Sequence, residues 1–298
     1  ETLHALGTAE ALRRLDRRPG HERGRALLRD ARWDVPGAGQ VPLAGQPGWP
    51  RTALLLMRLR LRRAGRLVAA RWASASLGGA LAGVAAGLIG SALLLTAPGS
   101  SAPRTLPVLL AFVGALVGGI GAAGVGAGLA AAEALARSRR GTALVACGAA
   151  AGAITGYTAN RLAALVLGDL FGRALPAVGG GFEGLVLGAA GGLGYALATP
   201  RAGGMATPHG GARWRAALTA ALCCAAAGLL LTALGGQLTG ASLNVLARGF
   251  QGSQVTLEPL ARRLGEREMG PATRAVLAVG EAALFGAGLV LGLTRRPR

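Results

Sequence analysis

Stretches that are almost wholly apolar alternate along this chain with short stretches rich in arginine. Two apolar stretches, residues 142 to 168 (TALVACGAAAGAITGYTANRLAALVLG) and 182 to 198 (FEGLVLGAAGGLGYALA), follow one another across a short link. About 20 mostly apolar residues make a helix that crosses a bilayer core of ~30 Å. In lipid the backbone is satisfied only within helices or closed barrels, and these runs lack the alternation of barrel strands. The pattern therefore predicts a transmembrane helical hairpin. It predicts a second hairpin before it, with spans near Ser74–Ala97 and Leu106–Ala132, and a third after it, near Ala216–Leu234 and Arg274–Leu293. The expected fold is an all-α polytopic integral membrane protein of about six transmembrane helices, built as three repeated Gly/Ala-rich hairpins.

The repetition is read from matched positions. Phe112, Gly114, Gly118, Gly121 and Gly124 lie 70 positions before Phe182, Gly184, Gly188, Gly191 and Gly194, and Gly79, Gly83 and Gly87 lie 69 before Gly148, Gly152 and Gly156. Cys147 and Gly152 match Cys223 and Gly228 at a shift of 76, and Glu183, Gly188 and Gly194 match Glu281, Gly286 and Gly292 at a shift of 98. Two matched segments in the same order favour a real repeat over chance likeness between Gly/Ala-rich helices. The Gly-x-x-x-Gly spacings at 79/83/87, 114/118 and 184/188 predict close helix contacts, because membrane helices associate at small residues.

Ahead of the spans, residues 1–50 read as a cytoplasmic soluble segment ending in a Pro/Gly-rich linker (DVPGAGQVPLAGQPGWP). Residues 51–72 read as a basic amphipathic juxtamembrane helix, with seven Arg among its leucines. Such a helix can lie on an anionic leaflet or extend the first span into solvent. Residues 73–298 form the expected membrane domain, with an amphipathic outer loop at 235–273. In that loop Leu257, Leu260 and Leu264 share a side, and Glu258 to Arg262 makes an i,i+4 pair. The first residue is Glu rather than Met, which fits an upstream cytoplasmic domain.

Composition supports this reading. The chain is 52% hydrophobic with a mean hydropathy of +0.46 over 298 residues, too apolar for an ordinary soluble domain. Its formal net charge is +19, yet nucleic acid is not the expected partner. Fifteen Arg fall in residues 1–71, and most others lie in loops sharing one side of the membrane, as the positive-inside rule produces. The expected location is the plasma (bacterial inner) membrane with both termini cytoplasmic. The expected partners are an anionic inner leaflet, further copies of the chain and the upstream domain. The three cysteines lie in apolar spans, and the three histidines (His4, His21, His209) lie outside them. No metal spacing, nucleophile elbow or phosphate loop is present, so neither a cofactor nor an enzyme is expected.

Charge inside a span is costly, ~2.5–3.5 kcal/mol or more at a helix centre. The candidate intramembrane polar cluster is therefore Arg161, Glu183 and Glu281 with Asn160 and Asp169. Pairing of Arg161 with Glu183 or Glu281 would line a polar cavity near the outer leaflet; a structural salt bridge or snorkelling is the plainer reading. Two functions follow. One is a non-enzymatic membrane module, an anchor or oligomerising bundle serving a cytoplasmic or upstream domain. The other is a transporter or channel for ions or small solutes. Scarce polar lining favours the first.

Overall fold

A computed structural model of the chain describes residues 49–97, 102–135, 139–171, 180–199, 208, 210–236, 238 and 258–295. The expected soluble segment lies outside them, apart from the last two residues of its linker. Among the described residues all regular structure is helical: α1 (Trp49–Leu95), α2 (Leu106–Leu135), α3 (Arg140–Phe171), α4 (Gly181–Ala198), α5 (Gly211–Ala233), the short α6 (Glu258–Arg263) and α7 (Pro271–Leu293). The chain divides into two units, Glu1–Arg66 and Leu67–Arg298. In the first, the described residues form the basic opening of α1.

The second unit holds six helices long and apolar enough to cross a membrane: Val68–Leu95, Leu106–Ala134, Arg140–Val166, Gly181–Ala198, Gly211–Ala233 and Pro271–Leu293. They mark a membrane-embedded protein. The first two spans differ from the sequence expectation, which began the first at Ser74 and ended the second at Ala132. Both reach further, taking in Arg71, Trp72 and Glu133. The physical reason is that Arg71 and Glu133 pair with each other and so tolerate burial.

Many of the glycines lie where two helices approach closely. A Cβ on Gly79, Gly83 or Gly87 of α1 would run into the backbone of Gly118, Gly114 or Leu110 of α2. In α3 and α4 the same holds for Gly148 against Gly188, Gly152 against Gly184 and Gly156 against Gly180. In α5 and α7 it holds for Gly228 against Ala278 and Gly286 against Ala220. As one number rises its partner falls, so each pair is antiparallel.

Neighbouring pairs continue the pattern around the unit. Gly124 and Gly128 of α2 meet Thr155, Cys147 and Ala151 of α3, and Gly194 of α4 meets Ala220 of α5. Gly288 and Gly292 of α7 meet Gly78 and Ser74 of α1 and close the ring. The second helices of the three pairs, α2, α4 and α7, also touch one another. Leu289 of α7, fully buried, lies between Gly126 of α2 and Gly191 of α4, and Phe285 lies beside Gly121 of α2. The core there is completed by Ala122, Val125, Leu129 and Val290. The centre of the bundle is thus filled by side chains.

The far end of the third pair is closed by local devices. Gly235, at φ 80, ends α5 in a left-handed turn, with the Gly236 N–H donating to the Leu231 carbonyl at 2.8 Å. Leu260 of α6 then packs with Leu94 and Leu106 at the α1–α2 turn, and Arg263 donates to the Thr96 carbonyl. Leu264, expected on the same side as Leu260, is exposed. Leu257 and the Glu258 side chain lie outside the described residues.

Candidate functional site

The most polar buried place in the described structure joins four helices at the arginine-rich end of the spans. Glu133, near the end of α2, is its centre. Arg71 of α1 donates Nη1 to Glu133 Oε2. Arg140 of α3 donates Nη2 to Oε1 at 2.7 Å, and Tyr195 of α4 donates its hydroxyl to the same oxygen at 3.0 Å. The Arg71 and Glu133 side chains are each 7% exposed and that of Arg140 16%. The Arg140 guanidinium also lies 5.4 Å from the centre of the Tyr195 ring, within cation–π range. A buried charge survives when it is paired and hydrogen-bonded, and here three donors from three helices converge on one carboxylate.

Arg140 has a second role. Its Nη1 donates to the Thr199 carbonyl at 2.6 Å and its Nη2 to Thr199 Oγ1 at 2.9 Å. Thr199 is the C-cap of α4, where backbone carbonyls lack helical partners and a cation is favoured by the helix dipole. The third helix pair is fastened in the same manner. Arg213 of α5 donates Nε to Thr294 Oγ1 at 3.2 Å and Nη2 to the Leu291 carbonyl at 2.7 Å, with Thr294 the C-cap of α7. In both, the threonine hydroxyl donates back to the carbonyl four residues earlier, at 2.6 Å for Thr199 and 2.7 Å for Thr294. That leaves an oxygen lone pair for the arginine.

The residues singled out from sequence are distributed otherwise. Arg161 is exposed; its Nε donates to the Tyr157 hydroxyl at 3.1 Å, and its guanidinium lies 5.2 Å from that ring's centre. Glu183 accepts the Gly180 N–H at 2.7 Å and caps the start of its own helix. Asn160 lies against Gly180, and Asp169 is exposed near the end of α3. The structure therefore does not join Arg161 to Glu183; each is held by a neighbour on its own chain segment.

Glu281 of α7 borders a space of about 10 Å³ beside Thr232, Gly236, Arg274 and Leu277, room for about one water. Outside the spans, Glu266 accepts the Ala272 and Thr273 N–H groups at 2.9 and 3.0 Å and the Thr273 hydroxyl at 2.6 Å. Chiefly that hydroxyl, and then the backbone donors at the start of α7, hold its carboxyl below the usual range. Among the described residues no group of three or more potential metal ligands comes together.

The sequence expectation does not include the Glu133 network because Glu133 and Arg71 lie just beyond the predicted span ends. A signal was present: Glu133 is the sole acidic residue between Asp34 and Asp169, and Tyr195 is one of two tyrosines in the chain. No family model matches the chain, and neither a curated protein nor a solved structure matches it.

Proposed function

We propose that the chain is a closed, non-enzymatic integral membrane module, an anchor or oligomerising bundle serving a cytoplasmic or upstream domain. The observation that carries this reading is the filled centre where α2, α4 and α7 meet, with Leu289 seated between Gly126 and Gly191. The polar groups support it as well. Glu133 is held by Arg71, Arg140 and Tyr195, and the space beside Glu281 is about 10 Å³. A hydrated ion or small solute needs a wider and more continuous polar lining than that.

We read the three hairpins as one unit repeated, with glycine ridges as its packing surface. The contacts of Gly79, Gly83 and Gly87 with 118, 114 and 110 recur at Gly148, Gly152 and Gly156 with 188, 184 and 180, at the shifts of 69 and 70 seen in the sequence. We place the arginine-rich end in the cytoplasm, and with it both termini, in the plasma (bacterial inner) membrane. The arginine asymmetry supports that orientation.

Cys224, fully buried among α4, α5 and α7, tests the closure. In a Cys147→Ala/Cys223→Ala background, a membrane-impermeant thiol reagent applied from either side of sealed vesicles leaves Cys224 unlabelled. Labelling from the water phase would place a solvent path in the bundle and overturn the reading.

A further inference from the structure

The two ends of the bundle carry charge differently. At the arginine-rich end the acidic residue among the described residues is Glu133, and it is buried against Arg71, Arg140 and Tyr195. Arg139, Arg215 and Arg295 of this end are exposed and make no ion pair among the described residues. At the opposite end Arg104, Arg262, Arg263, Arg267 and Arg274 are exposed alongside the exposed Asp169 and Glu268 and the half-buried Glu266, so charges of both signs mingle there.

Trp72 and Trp214 also belong to the arginine-rich end, at 45% and 67% exposure. The hydrogen-bonded arginines Arg71, Arg140 and Arg213 fix where these exposed groups stand. Arg213 is tied to Thr294 at 3.2 Å, which brings Trp214 and Arg215, its chain neighbours, to the same end of the third pair as Arg295. Arg71 and Arg140 meet on Glu133, so their chain neighbours Trp72 and Arg139 belong to this end as well. Trp72 is steadied by donating its Nε1–H to the Ala123 carbonyl at 2.9 Å.

Tryptophan settles at the headgroup level of a bilayer. The arginine fork matches phosphate oxygens and is weakly hydrated. Exposed arginines with exposed tryptophans at the same end, and no exposed carboxylate beside them among the described residues, fit one occupant, the phosphodiester headgroup of an anionic phospholipid. We propose that this end of the bundle selects anionic phospholipids, with Arg139, Arg215 and Arg295 holding the phosphates and Trp72 and Trp214 set beside them. The inference needs only that the bundle sits in a bilayer. A solute path through its centre would overturn the closed-module reading and leave this one standing.

The two tryptophans report the lipid directly. In a Trp33→Phe/Trp49→Phe chain reconstituted in mixed vesicles, lipid brominated high on the acyl chain quenches their fluorescence. Brominated phosphatidylglycerol is expected to quench in preference to brominated phosphatidylcholine. Each arginine near an anionic surface contributes roughly a fivefold preference, so the preference falls about fivefold in each of Arg139→Gln, Arg215→Gln and Arg295→Gln. It is lost in the triple variant and kept in Arg104→Gln/Arg267→Gln/Arg274→Gln at the opposite end. Equal quenching by the two lipids in the parent chain would overturn the proposal, as would a preference that all three single variants retain. If the triple variant does not incorporate, the single variants decide. Loss of the preference on adding inorganic phosphate at constant ionic strength would assign the arginines to a soluble anion and also overturn it.

Discussion

Glu133→Gln removes one charge and almost no volume, so its effect isolates the electrostatics of the buried network. In the native protein Arg71 and Arg140, with side chains 7% and 16% exposed, face this carboxylate. Removing one partner of a buried pair typically costs about 3–5 kcal/mol, because the remaining charge stays buried uncompensated. Arg140 keeps its bonds to Thr199, which places the expected loss in the lower half of that range. For a unit of this size each kcal/mol lowers the melting temperature by about 2–4 °C, giving a fall of about 6 °C or more in mild detergent. The control is Arg71→Gln/Glu133→Gln, in which carboxylate and one guanidinium leave together. Partners in one network couple by about 0.5–3 kcal/mol, so the double variant is more stable than the sum of its single variants predicts. A loss below about 1 kcal/mol, the size of an exposed ion pair, or strict additivity would refute the network as an energetic unit.

Two further outcomes follow from the packing and the caps. Gly83→Ala and Gly152→Ala each place a methyl group against opposing backbone, at Gly114 and Gly184; overpacking of this kind costs about 1–3 kcal/mol. Gly90→Ala meets open space and leaves thermal unfolding unchanged or slightly improved; equal melting temperatures for all three variants would contradict the glycine contacts. Glu266 titrates below its ordinary value, so its support of the α7 start is fully present above the usual glutamate range. That support is lost as pH falls through the lower folded value. Amide signals of Ala272 and Thr273 then shift on acidification in the native chain and stay flat in Glu266→Gln; identical profiles would refute the cap.

The six spans were legible in sequence because a run of apolar residues dictates a spanning helix with little help from its surroundings. The polar site was less so. Glu133 and Arg71 are 62 positions apart, and nothing local announces that α1 and α2 bring them together; that follows from the register set by Gly79, Gly83 and Gly87. Arg161 and Glu183 stand out in sequence as charges near apolar spans, yet each has a neighbour that suffices: Tyr157 one turn away for Arg161, and the Gly180 N–H at the α4 start for Glu183. Sequence marks which charges need a partner, whereas helix register decides which partner they meet. The arginine-to-threonine fastenings at Thr199 and Thr294 were hidden for the same reason, since a threonine ending a helix looks unremarkable until a cation from another helix reaches it.

The closed centre of the bundle is the claim on which the functional reading rests, and flux tests it most directly. The native chain and Glu281→Gln, reconstituted into vesicles at equal density, are compared with protein-free vesicles for leakage of ions and small neutral solutes. With Leu289 seated between α2 and α4 and about 10 Å³ beside Glu281, neither protein raises flux above the protein-free level. Flux through the native chain that disappears in Glu281→Gln would contradict the account and place Glu281 in a solute path.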